Sequence, residues 1–111
     1  ELMSQGENVG AGKPISLGTM LESAIGAHLV NQSGVCDFRV YYWRDHADEV
    51  DFVLSRNRKV VAIEVKTGRR QTNEGLPKFK NMFHPHKAFV VGSGGISTED
   101  FLTMDLEWLF K

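Results

Sequence analysis

The stretch EVDFVLSRNRKVVAIEVK, residues 49–66, decides the reading of the fold. β-Branched and aromatic side chains alternate with polar ones on either side of the polar break at residues 55–59. That is the pattern of two strands, 49–54 and 60–66, joined by a hairpin. Alternate side chains of a strand share a face. Val50, Phe52 and Leu54 are therefore expected on one side of the first strand, with Glu49, Asp51 and Val53 on the other. In the second strand Val61, Ile63 and Val65 form an apolar face, and Glu64 and Lys66 project from the opposite one. A further strand at 38–44, linked through Asp45-His46-Ala47-Asp48, completes an antiparallel meander of three.

Working outward, Leu17, Leu21, Ala24, Ile25 and Leu29 recur at helical spacing and predict a helix over residues 16–32, with Ser16 as its N-cap. Glu22 falls on the flank of that apolar stripe. Residues 1–15 hold Gly6, Gly10, Gly12 and Pro14 and read as an arm or linker. Gly10-Ala11-Gly12-Lys13 is no phosphate loop, because Glu7 and Pro14 stand where that motif needs Gly and Ser or Thr. Leu76, Phe79, Met82 and Phe83 predict a second helix ended by Pro85. The apolar run 87–91 follows as a buried strand, suited to parallel pairing after a helix. Ser97-Thr98-Glu99-Asp100 then opens a short helix, and Leu106, Trp108, Leu109 and Phe110 close the chain. The fold class is α/β: a mixed four-stranded sheet flanked by helices, in one domain over residues 16–111.

With 111 residues, the chain holds one core. It begins at Glu1, which suggests a piece of a longer polypeptide. No apolar run reaches the roughly 20 residues of a membrane span, and there is no signal-peptide pattern, so no membrane partner is expected. A lone cysteine, Cys36, fits a reducing compartment, with the cytoplasm as the default location. The net charge of −1 hides an asymmetry: residues 56–80 carry eight bases against two acids, while the rest carries five against twelve. Such a lopsided chain suits a surface facing a polyanion, or a merely solvated loop and helix face.

An apolar strand interrupted by Glu64 and Lys66 carries a desolvation cost unless something uses those charges. One use is an ion-pair network. The other is phosphoryl chemistry with Mg²⁺ or Mn²⁺, in which Asp51 and Glu64 supply carboxylates and the Val65 carbonyl a further ligand. Lys66 would then hold or deprotonate the attacking water and offset charge in the transition state.

The order Glu22 on a helix, then Asp51, then Glu64-Val65-Lys66 resembles the PD-(D/E)XK nuclease superfamily, the restriction-endonuclease-like fold. Tyr42-Trp43-Arg44, Glu49-Val50-Asp51-Phe52-Val53 and Ala62-Ile63-Glu64-Val65-Lys66 are further similar to the C-terminal domain of unknown function that follows AAA-type ATPase modules in bacteria and archaea, over roughly residues 16–110. The resemblance implies a Mg²⁺-dependent nuclease acting on nucleic acid, DNA first, with Glu22 as an outer ligand or water-orienting group. It also implies an ATPase module in the same chain, and leaves room for a homodimer, since nucleases that cut both strands often pair two sites. The alternative is a non-catalytic module for nucleic-acid or protein interaction that keeps the acidic cluster as ancestry or as structural glue. Val50 stands where the superfamily's name has proline, and the second helix lacks a glutamine-and-aromatic signature.

Arg44, Arg69 and Arg70 suit phosphate contacts, with Lys78 and Lys80 as further candidates, although exposed arginines near turns are often only solvated. Tyr41, Tyr42 and Trp43 read mainly as core rather than as base-stacking residues. Cys36, His46, His84 and His86 lack the spacing of a zinc site, and His28 reads as a packed histidine.

Overall fold

Among the described residues, five strands form an open mixed sheet in sequence order. They are β1 (Met3–Gln5), β2 (Arg39–Asp45), β3 (Asp48–Arg56), β4 (Lys59–Lys66) and β5 (Lys87–Gly92). The computed structural model describes residues 3–5, 17–67 and 75–111, with 3–5 and 17–19 described by backbone alone. The meander β2-β3-β4 is antiparallel, and β5 joins β4 in parallel, as the sequence predicts. A three-residue strand, β1, adds an antiparallel edge to β2 within the stretch read as an arm. The hairpins are tighter than the sequence suggests. His46 (φ 60°) turns the first, and Asn57 and Arg58 (φ 50° and 70°) turn the second, the paired left-handed conformation that matches strand twist.

Helices cover both faces. On one lie α1 (Leu17–Cys36), α3 (Thr98–Thr103) and a final 3-10 turn, Leu106–Phe110. There Ile25 and Leu29 pack with Phe52, Leu54, Val61 and Ile63, all fully buried. Each such side chain contributes about 1.5–3 kcal/mol relative to exposure. The other face carries α2 (Gly75–Phe83), where Trp43, Val50, Val53 and Ala62 enclose Phe79. The Trp43 and Phe79 rings meet edge to face at 5.4 Å. Tyr41 is half-buried and Tyr42 exposed, so core packing claims one of the three neighbouring aromatics fully.

Three sequence expectations change. Helix α1 runs to Cys36 rather than 32, ending where Asp37 turns left-handed (φ 58°) and the Phe38 amide bonds back to the Ser33 carbonyl at 3.1 Å. Ala24, expected in the apolar stripe, is exposed, and Ser16 lies outside the described residues. Val50 also sits on the α2 face, opposite Phe52 and Leu54. The cause is a β-bulge: Tyr41 pairs with Val53 but Trp43 pairs with Val50, so Asp51 and Phe52 together face Tyr42. An extra residue breaks the alternation there, and composition alone does not announce it.

Ser97 caps α3 through a 3.1 Å bond from the Asp100 amide to its Oγ. Ser97→Ala should lower stability by about 1 kcal/mol in a urea titration. An unchanged midpoint would mean the cap is redundant. Among the described residues, no helix is long and apolar enough to cross a membrane.

Candidate active site

The bulge that disturbs β3 also builds the site. The β3–β4 ladder runs from Arg56↔Lys59 to Phe52↔Ile63, and beyond it the Val65 amide donates to Asp51 Oδ2 at 2.7 Å. A carboxylate thus takes the place of a strand partner and is pinned beside β4. Glu64 and Lys66 lie within the last three residues of β4, next to the end of its parallel neighbour β5. Outside the carboxyl ends of parallel strands is where open α/β sheets bind ligands.

Burial and mutual repulsion make this cluster electrically tense. Burial, then the charge of Glu22 on α1, push Asp51 up to about 8; the Val65 amide opposes this, while Glu64 and Glu49 add to it. Burial likewise raises Glu64, with Lys66 opposing and Glu49 reinforcing. Glu64 is only 3% exposed, and its Oε1 is buried without a hydrogen-bond partner. An unpaired buried carboxylate oxygen costs free energy in an apolar interior. Asp51 thus feels the charges of Glu22 and Glu64, and Glu64 that of Lys66. Glu49 is the member that sequence reading left unassigned; its position two residues before Asp51 was the available signal.

Two glycines set the backbone around the cluster. A Cβ on Gly92 (φ +111°) would lie 1.9 Å from the Lys66 carbonyl oxygen, and one on Gly75 would lie 2.0 Å from that of Glu49. Only glycine lets β5 and α2 approach so closely. The Ser93 amide also reaches the Lys66 carbonyl, at 3.2 Å.

The donors match a hard cation in kind, since Mg²⁺ takes one or two carboxylates and keeps waters and substrate oxygens. Among the described residues no group of three His, Cys, Asp or Glu side chains is arranged to hold a metal ion, so a protein-only cage is absent from that part of the chain. The orphaned Glu64 oxygen and the strained Asp51 carboxyl fit a cation of the first kind.

Of the candidate nucleic-acid residues, Arg44 and Lys78 both pair with acids of the β2–β3 hairpin. Arg44 is exposed and pairs loosely with Glu49 at 3.7 Å. Lys78 pairs with Asp45 at 3.0 Å and Asp48 at 3.3 Å, and Lys80 is exposed. Arg69 and Arg70 lie outside the described residues. The basic run itself is split by the hairpin: Lys59 and Lys66 end opposite sides of β4, about 23 Å apart at strand rise. Arg56 bonds Glu107 and the Cys36 carbonyl, both at 2.8 Å, and Lys59 bonds the Phe110 carbonyl at 2.7 Å. These bases hold the C-terminal turn. Sequence proximity suggested one polyanion surface; strand geometry sends part of it to the far end of the sheet.

His28 packs edge to face on Phe101, as a core histidine does. A family model described as a domain of unknown function, DUF4143, matches residues 17–102. No curated protein and no solved structure matches the chain.

Proposed function

The chain belongs to the DUF4143 family, and from the geometry of its acidic cluster we propose that it is a PD-(D/E)XK-like domain that hydrolyses phosphodiester bonds in nucleic acid with Mg²⁺ or Mn²⁺. The observation that carries this reading is the buried, unpartnered Glu64 oxygen beside an Asp51 held up to about 8. Four carboxylates that influence one another and a single lysine leave a negative excess that a divalent cation would neutralise. Asp51 and Glu64 would hold it, with the Val65 carbonyl a further donor and Glu22 an outer group. When bound, the cation supplies Lewis acidity at the scissile phosphate. Lys66 holds the attacking water or balances charge on the phosphate oxygens, and Asp51 is kept in register by the Val65 amide. DNA is the proposed substrate, an AAA-type ATPase module in the same polypeptide the proposed partner, and the cytoplasm the proposed compartment.

One observation favours a different reading. The lack of a three-carboxyl arrangement among the described residues suits a non-catalytic module that docks nucleic acid or a protein partner. Thermal melts in rising Mn²⁺ separate the two. A ligand at one hundred times its Kd stabilises by about 2.7 kcal/mol, so the parent chain should melt several degrees higher, and Glu64→Gln should lose most of that rise. No rise in the parent chain removes the metal site and the nuclease reading with it. A rise without plasmid nicking favours the non-catalytic module.

A further inference from the structure

The strands of the sheet sort their charges by end. In β2 to β5 and the two hairpins that join β2, β3 and β4, Arg39, Arg56, Arg58, Lys59 and Lys87 lie at the end away from the acidic cluster, and no acid of these strands lies with them. The cluster's end carries five acids and two bases. Register fixes the arrangement: Arg39 stands opposite Ser55, Arg56 opposite Lys59, and Lys87 beside Val61. Neutralisation follows the same division. Arg44 and Lys78 pair with acids at the cluster's end, whereas Arg56 alone of the five far-end bases meets a carboxylate among the described residues, Glu107 at 2.8 Å. Lys59 meets the neutral Phe110 carbonyl at 2.7 Å, and Lys87 lies 4.5 Å from the centre of the Trp108 ring, so both keep their charge uncancelled. Arg39 and Arg58 are exposed. Asp37 and Asp105 also stand near this end, and neither pairs with a described base.

We infer that this end is a nucleic-acid surface in its own right, which takes the phosphates of a single strand across the ends of β2 to β5 and stacks a base on Trp108. Two observations carry it together, the row of uncancelled cations and the aromatic ring set among them. Four strands about 4.8 Å apart make a row of about 14 Å. That is the length of about four nucleotides at 3.4 Å each. Trp108 is 53% exposed, yet it sits in a final turn whose Leu106, Leu109 and Phe110 are buried, so the indole is presented on a fixed support. A basic row with an open aromatic ring is the combination that holds single strands, because every base has a face to stack. A duplex keeps its base faces inside the helix, and an acidic peptide has no use for the ring. Lys59 and Lys66 end opposite sides of β4, so binding here needs no cation in the cluster and stands or falls apart from the hydrolase reading.

Titrating the 111-residue chain with an oligothymidylate of about 12 nucleotides, in the presence of a chelator, tests it. At roughly 0.1 M salt the Kd should be on the order of 1–100 µM, and log Kd should rise against log salt with a slope of about 2–3, as for three or four neutralised phosphates. Trp43 is fully buried, so quenching of tryptophan emission reports on Trp108. Trp108→Leu should lose the quenching and bind at least fivefold more weakly. Arg39→Gln combined with Arg58→Gly should bind at least tenfold more weakly and lower the salt slope by about 1.4, while melting as the parent does, because glycine suits the left-handed backbone at Arg58 (φ 70°). A parent that does not bind, binding that the double variant keeps, unquenched emission, or equal affinity for polyglutamate or phosphatidylserine vesicles overturns the inference.

Discussion

An Asp51→Asn chain is expected to be more stable than the parent at pH 8 in the absence of divalent metal, and to show none of the parent's Mn²⁺-induced rise in melting temperature. Asparagine keeps an oxygen for the Val65 amide, so the bulge survives, but it removes a charge that burial, Glu22, Glu64 and Glu49 all oppose. The sign follows from the proton balance. Asp51 ionises near 3.8 when unfolded and at about 8 when folded, so the folded chain binds the extra proton between those values. The contribution of Asp51 to the parent's stability is therefore full below about pH 4, is lost as pH rises, and levels off above pH 8. The asparagine variant lacks that part of the slope, and Glu64 retains a smaller one in the same direction. Allowing for solvent near a partly exposed group, the gain at pH 8 is on the order of 2–4 kcal/mol. Urea titrations at pH 4.5 and 8 measure it. A variant weaker than the parent at pH 8 would show that Asp51 is stabilised by the fold rather than strained within it.

Lys66→Ala is expected to abolish plasmid nicking by about 10²–10⁴-fold while leaving the Mn²⁺-induced stabilisation in place. The lysine supplies no carboxylate oxygen, and its ammonium is the charge that opposes the raised pKa of Glu64. Its loss leaves the cluster more negative, which favours a cation and harms the handling of water and phosphate charge. The two readouts therefore separate in opposite directions. Nicking that persists at the parent rate would assign the cleavage to something other than this site. Loss of both nicking and cation binding would make Lys66 a structural member of the cluster.

Much of the fold is legible because hydrophobic burial obeys local periodicity. Phe52 with Leu54, and Val61 with Ile63 and Val65, announce their common face through alternation, and burial confirms it. Ile25 and Leu29 do the same for α1 at helical spacing. The candidate site is legible in part. Asp51, Glu64 and Lys66 stand out as charges inside apolar strands, whereas Glu49 looks like an ordinary strand-end acid until its field at Asp51 and Glu64 is seen. Gly92 reads only as the end of a strand, although its missing Cβ is what admits the Lys66 carbonyl.

Residue order by itself determined which elements form from α1 onward, how β2, β3 and β4 turn back on one another, and which acids interrupt the sheet, because those follow from neighbours a few positions apart. Only the tertiary structure decided that Val50 leaves the face of Phe52, that Asp51 bonds the Val65 amide, and that Arg56 and Lys59 hold the C-terminal turn. Each depends on strand register and on contacts across 14 to 51 positions of sequence, where one extra residue in a ladder redirects side chains without leaving any mark in local periodicity.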